Sequence, residues 1–127
     1  MALQNPLKSC AFPQKRLHVG RYVRLEPLED RHIPGLAASA LSAPESFRWL
    51  IYGPFADLAS ARARLEDLAG RMFEPCWAVI PEGGEAASGW LSFCDVSPDD
   101  AALDIGGVWF APPLRRTRAA TEAIYLL

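Results

Sequence analysis

The sequence predicts an α/β (α+β) domain, a mixed and mostly antiparallel sheet that carries helices. Three observations predict it. Short apolar or alternating runs at 21–28, 76–80, 88–94 and 103–110 read as strands, and apolar residues at helical spacing over 29–41 and 58–72 read as helices. Clusters of Gly, Pro and Asp separate these runs, so the order is β-α-α-β-β-β-α. The 127 residues, half of them apolar, are enough for one domain with a single core.

Taken in order, residues 1–18 contain Pro6 and Pro13 without periodicity, and read as an extension that lies on the domain or is disordered. Order begins near Gly20. Arg21-Tyr-Val-Arg-Leu-Glu-Pro-Leu alternates as a strand does, and Pro27 ends its ladder. Positions 33, 36, 37, 40 and 41 form a helical stripe, in which Pro34 is tolerable only in the first turn. Residues 43–55 form a loop or short helix rich in aromatics (Phe47, Trp49, Tyr52 and Phe55), turned by Gly53-Pro54. Asp57 suits an N-cap, and Leu58, Ala61, Leu65, Leu68 and Met72 make the buried stripe behind it. Asp67 and Arg71 form a favourable pair one turn apart on the solvent face.

Pro-Glu-Gly-Gly-Glu between the runs at 76–80 and 88–94 is a hairpin signal. Asp99-Asp100 marks the next turn, and Gly106-Gly107 inside the last strand predicts a bulge or a close backbone approach.

A formal charge of −2 gives no general attraction to nucleic acid or to an anionic membrane. No apolar run approaches the roughly 18 residues of a membrane span. Residues 1–13 lack a continuous apolar stretch, so no secretory signal is expected and the cytoplasm is the default compartment. Cys10, Cys76 and Cys94 are odd in number and widely spaced, which suits reduced thiols. His18 and His32 have no companions at metal-ligand spacing, so no metal site is expected. No Gly-x-Ser-x-Gly elbow supports a serine hydrolase.

The chemistry is concentrated in residues 103–125. An apolar strand runs through Pro112-Pro113 into a helix whose first turn carries Arg115, Arg116 and Arg118. A helix N-terminus is already positive, because its first N–H groups lack intrahelical partners and the peptide dipoles add. The three arginines either await an anion such as a phosphate group, or are solvated and point away from the helix end. The second arrangement costs only about 0.3–1 kcal/mol, so charge placement alone leaves both open.

The order strand, Pro-Pro, Arg115-x-x-Arg118-x-Ala120, then Ala120-Thr-Glu-Ala resembles the acyl-CoA pyrophosphate loop of the GNAT superfamily of N-acetyltransferases. That loop usually reads Gln/Arg-x-x-Gly-x-Gly/Ala. Arg115 matches its first position and Ala120 its last, whereas Arg118 replaces the usual glycine. Such an arginine must point its side chain away or lay it over the phosphates as an extra cation. Gly-Arg-Tyr-Val-Arg-Leu-Glu-Pro-Leu at 20–28, Trp-Leu-Ile-Tyr-Gly-Pro-Phe at 49–55 and Ser-Gly-Trp-Leu-Ser-Phe at 88–93 resemble the branch similar to ribosomal-protein N-terminal acetyltransferases.

The resemblance implies a GNAT-like acyl-CoA N-acyltransferase fold over 19–127. It also implies transfer of an acetyl group from acetyl-CoA to a primary amine, on a protein N-terminus or a small molecule, by direct attack on the thioester. Val108, Trp109 and Phe110 would offer backbone groups to the pantetheine arm. Arg115, Arg116, Thr117, Arg118, Ala119 and Ala120 would surround the pyrophosphate. Asp104 is the implied general base through water, because an ammonium must lose a proton before it attacks; it suits a solvent-facing strand position equally well. Trp49, Tyr52 and Phe55 either line the acceptor pocket or cap the core. Ser92 either contacts an acceptor or belongs to the solvent face of its strand.

The stripe Ala120, Ala123, Ile124 and Leu127 is still running at the last residue. GNAT domains continue with a further strand, a helix and closing strands, so the C-terminal part is expected to be missing here. The strand at 103–110 would then be an open apolar edge through which a homo-oligomer could form. The alternative function is a non-catalytic CoA-binding or self-associating module.

Overall fold

The computed structural model describes residues 10–127. Its strands are β1 (His18–Val19), β2 (Val23–Pro27), β3 (Cys76–Pro81), β4 (Gly89–Ser97) and β5 (Ala102–Phe110). Its α-helices are α1 (Ile33–Ser42), α2 (Leu58–Gly70) and α3 (Arg118–Leu126). The strands lie in the order β1-β2-β3-β4-β5 and every pairing is antiparallel, so β1 and β5 are the terminal strands of this sheet. No helix among the described residues is long and apolar enough to cross a membrane.

Alternation along the strands divides the core between two faces. Cys76, Ala78, Trp90 and Trp109 project onto one face, beneath α1, α2 and the buried Phe47. Val23, Leu25, Trp77, Val79 and Leu91 project onto the other, beneath Leu114 and the small residues Ala119, Ala120 and Ala123 of α3. Each of the three fully buried tryptophans still pairs its indole N–H, as burial requires. Trp77 donates to the Arg16 carbonyl at 2.7 Å, Trp90 to the Tyr52 hydroxyl at 3.1 Å and Trp109 to the Ser46 hydroxyl at 2.8 Å.

Local chemistry sets most element ends. Pro34 sits in the first turn of α1, where its missing N–H costs nothing. Asp57 caps α2 by accepting the Ser60 N–H at 2.8 Å, and the Ser60 donors hold its carboxyl below the usual range. Asp67 pairs with Arg71 at 2.9 Å, the expected one-turn contact.

Several boundaries differ from the sequence expectation. His18 and Val19 already pair with Leu25 and Arg24, so the sheet begins before Gly20. Residues 10–17 are tied down at several points. The Cys10 N–H donates to the Pro98 carbonyl at 2.9 Å, Phe12 meets Phe73 at 4.9 Å, and Lys15 donates to the Ala69 carbonyl at 2.9 Å. Residues 1–9 of the expected extension lie outside the described residues. Met72 is 78% exposed rather than part of the α2 stripe, because the helix ends at Gly70 and Arg71 is extended. The helix after β5 begins at Arg118, so Arg115 and Arg116 precede its first turn instead of belonging to it.

Candidate active site

The candidate site is organised by a bulge in β5. Trp90 stands opposite Trp109 and Ser92 opposite Gly106, which leaves Gly107 and Val108 facing Leu91 alone. Gly107 takes a φ of 58°, a left-handed conformation that costs glycine little. Its carbonyl accepts the Tyr52 hydroxyl at 3.0 Å, and that hydroxyl accepts the Trp90 indole N–H at 3.1 Å. Burial pushes the Tyr52 hydroxyl above its ordinary value, so it stays a neutral donor to Gly107. The Arg64 guanidinium covers a face of the ring, 4.4 Å from its centroid.

These residues wall a cavity of about 300 Å³ between the loop before α2, α2 itself and the bulge. Trp49, Tyr52, Arg64, Glu74, Ser92 and Val108 are among its lining residues. Trp49 is 86% exposed at the mouth. The Ser92 hydroxyl is buried rather than solvent-facing, and donates to the Gly106 carbonyl at 2.9 Å. Arg71 holds Glu74 at 3.3 Å.

Beyond β5 the chain turns through Pro112–Leu114 towards α3. Arg115 points its side chain back, donating to the carbonyls of Phe110 at 3.1 Å and Ser46 at 3.0 Å. Arg116 is exposed in a left-handed conformation, φ 60°. Thr117 is the N-cap. Its hydroxyl oxygen accepts the Ala120 N–H at 3.2 Å and donates to the Leu114 carbonyl at 2.6 Å. The N–H groups of Arg118 and Ala119 therefore stand at a positive helix end without intrahelical partners. The Arg118 guanidinium lies 5.6 Å from the centre of the Tyr22 ring, beside an open groove of about 580 Å³ that Arg116 and Tyr125 also line.

The structure thus brings Trp49, Tyr52 and Val108 together at one cavity and Arg116, Thr117 and Arg118 at one groove. It does not bring in Phe55, which packs edge-on against Phe47 at 5.2 Å and belongs with the core. Trp109 is buried, stacked on Phe47, and Phe110 packs on the α3 side, so only their backbone reaches the open edge of β5. Ala119 and Ala120 are on the buried face of α3, against the sheet. Asp104 is exposed on β5 opposite Cys94; Cys94 lines the cavity and Asp104 does not. Sequence reasoning passed over Arg64 and Glu74. Arg64 falls four residues from Leu68 in an ordinary helical pattern, and nothing local marks it as facing Tyr52. Among the described residues no three His, Cys, Asp or Glu side chains gather as metal ligands.

Residues 23–127 match the acetyltransferase (GNAT) domain family. Among solved structures, the chain resembles a GCN5-related N-acetyltransferase from Brucella melitensis at 31% identity and a TM-score of 0.88. The match covers 98% of this chain and 57% of that one. A probable acetyltransferase of the GNAT family from Chromobacterium violaceum matches at 29% identity and a TM-score of 0.87, over 99% of this chain and 64% of that one. A GNAT-family acetyltransferase from Bacillus anthracis, 15% identical with a TM-score of 0.70 over 87% and 63% of the two chains, shares the fold. This chain therefore spans less than two thirds of the length of these relatives. No curated protein matches it.

Proposed function

The chain belongs to the GNAT acetyltransferase family, and on that premise we propose that it transfers an acetyl group from acetyl-CoA to a primary amine. The observation that carries this reading is the bulged terminal strand, open along one edge, with a walled cavity beside it and a positive helix end beyond it. The branch similar to ribosomal-protein N-terminal acetyltransferases is part of the proposal. It is supported by Trp49 and Tyr52, two residues of the resembling segment at 49–55, which line the cavity.

Acetyl-CoA supplies the activated acyl group when bound. The backbone of Val108, Trp109 and Phe110 would lie along its pantetheine arm like a neighbouring strand. The N–H groups of Arg116 to Ala119 would hold the pyrophosphate, that of Ala120 being taken by the Thr117 cap, with the side chains of Arg116 and Arg118 as added cations. Arg115 holds the loop in place through Phe110 and Ser46. The acceptor enters the cavity between Trp49, Tyr52 and the bulge. Its neutral nitrogen would attack the thioester carbonyl carbon; the carbon–sulfur bond would break with its electron pair leaving on sulfur, CoA thiolate taking up a proton to leave as the thiol, and the proton lost by nitrogen would pass to a base. Asp104 is the proposed base, acting through water past Cys94. Glu74, which lines the cavity itself, is the competing carboxylate. Asp104→Asn abolishing the acidic limb of the pH–rate profile supports the first assignment; the same loss in Glu74→Gln overturns it.

Association of two copies through the open edge of β5 is also proposed, and it would compete with the coenzyme for that edge. Calorimetric titration of acetyl-CoA into the full chain, with mass followed by light scattering, tests both readings. Micromolar binding is expected, with any dimer dissociating as the coenzyme is added. A folded chain that binds no acetyl-CoA overturns the transferase reading.

A further inference from the structure

Arg64 is the unusual group in the cavity. Its Nε is buried and has no hydrogen-bond partner, alone among buried side-chain nitrogen and oxygen atoms of the described residues. A buried donor left unpaired is costly, and in a native structure it calls for an explanation. The nearby carboxylates do not supply one. Asp67 is committed to Arg71 at 2.9 Å and stands 3.9 Å from the Arg64 Nη1, while Glu74 also faces Arg71, at 3.3 Å. Arg71 is thus doubly paired. The buried Nε is out of a ligand's reach, but the Arg64 side chain is 29% exposed and lines the cavity, and its terminal nitrogens keep donor capacity on a planar fork shaped for a carboxylate.

We propose that Arg64 is a specificity residue that holds the carboxylate of the acceptor, and that the acceptor is a small amine bearing a carboxylate, as a free α-amino acid does. The inference rests on the transferase reading of this cavity. One arginine with spare donors and one lining carboxylate, Glu74, match a zwitterion better than a neutral amine. Arg64 lies over the face of the Tyr52 ring, the Tyr52 hydroxyl meets the Gly107 carbonyl, and all three residues line the cavity, so an amine a few bonds from its carboxylate would reach the bulge. Trp49 and Val108 leave apolar wall for a side chain.

The test is calorimetric binding to the full chain of L-leucine and L-phenylalanine, each against its α-amide. Each acid is expected to bind at least tenfold more tightly than its amide. That preference should vanish in Arg64→Gln, return in part in Arg64→Lys, and leave amide affinity within twofold. Equal binding of acid and amide, no binding of either, or a preference that survives Arg64→Gln overturns the proposal. A parallel fall for acid and amide in Arg64→Gln also overturns it, because that is what loss of Tyr52 support alone would produce. The readout needs no turnover. A chain that prefers the acids but binds no acetyl-CoA would sink the transferase reading and leave the Arg64 assignment standing.

Discussion

The carboxylate of Glu122 on α3 accepts the backbone N–H of Tyr22 at 2.6 Å, and its other oxygen accepts that of Arg21 at 2.7 Å. One acidic side chain thus fastens α3 to the turn between β1 and β2, about a hundred residues earlier in the chain. A Cβ on Gly20 would meet the same carboxylate and oblige it to swing away from these two N–H groups. Hydrogen bonds to a charged group contribute about 1.5–3 kcal/mol when well sheltered, and partial exposure reduces this. Glu122→Ala should cost roughly 1–3 kcal/mol by urea unfolding, and Gly20→Ala a similar amount by displacing the same group. A loss under about 0.5 kcal/mol in both would remove the fastening role.

Arg116 and Arg118 flank the open groove at the start of α3, whereas Arg115 is spent on two carbonyls. Arg116→Ala combined with Arg118→Ala should weaken acetyl-CoA binding more than tenfold, with a shallower salt dependence. Arg115→Ala should instead lower stability by about 1 kcal/mol. Unchanged affinity in the double variant would show that the backbone alone holds the anion.

Tyr52→Phe removes the hydroxyl between Trp90 and Gly107. It leaves a buried indole N–H unpaired, which costs about 1–3 kcal/mol. Because the bulge also loses its tether, kcat for acetyl transfer should fall more than the KM for acetyl-CoA rises. Steady-state kinetics alongside thermal unfolding separate the two effects.

Burial pushes the Cys76 thiol up to about 12 from an ordinary 9.0. The unfolded chain then releases a proton that the folded chain keeps, so this group favours folding below pH 9 and loses that contribution as pH rises towards 12. Urea midpoints measured from pH 8 to pH 10 should decline more steeply for the native sequence than for Cys76→Ala. Parallel slopes would mean that the thiol is not buried as described.

Much of the fold was legible in the linear pattern, because alternation, caps and turn residues act over a few positions. The strand runs, the Asp57 cap, Pro34 in its first turn, the hairpin signal before β4 and the Gly106-Gly107 irregularity all follow from local sterics and hydrogen bonding. The arginine-rich helix start was equally visible as composition. Which arginine does what was not. Arg115 turns back because the carbonyls of Phe110 and Ser46 lie within reach, and Ser46 is 69 residues away in sequence. Phe55 joins the core while Tyr52 lines the cavity, a choice made by the rings of Phe47 and Trp90 that surround them. Nothing in the residue order singles out Arg64; packing alone sets it over Tyr52 and leaves its Nε unpaired. Contacts of that kind depend on distances between segments, and residue order carries no record of them until the sheet has closed and its faces are filled.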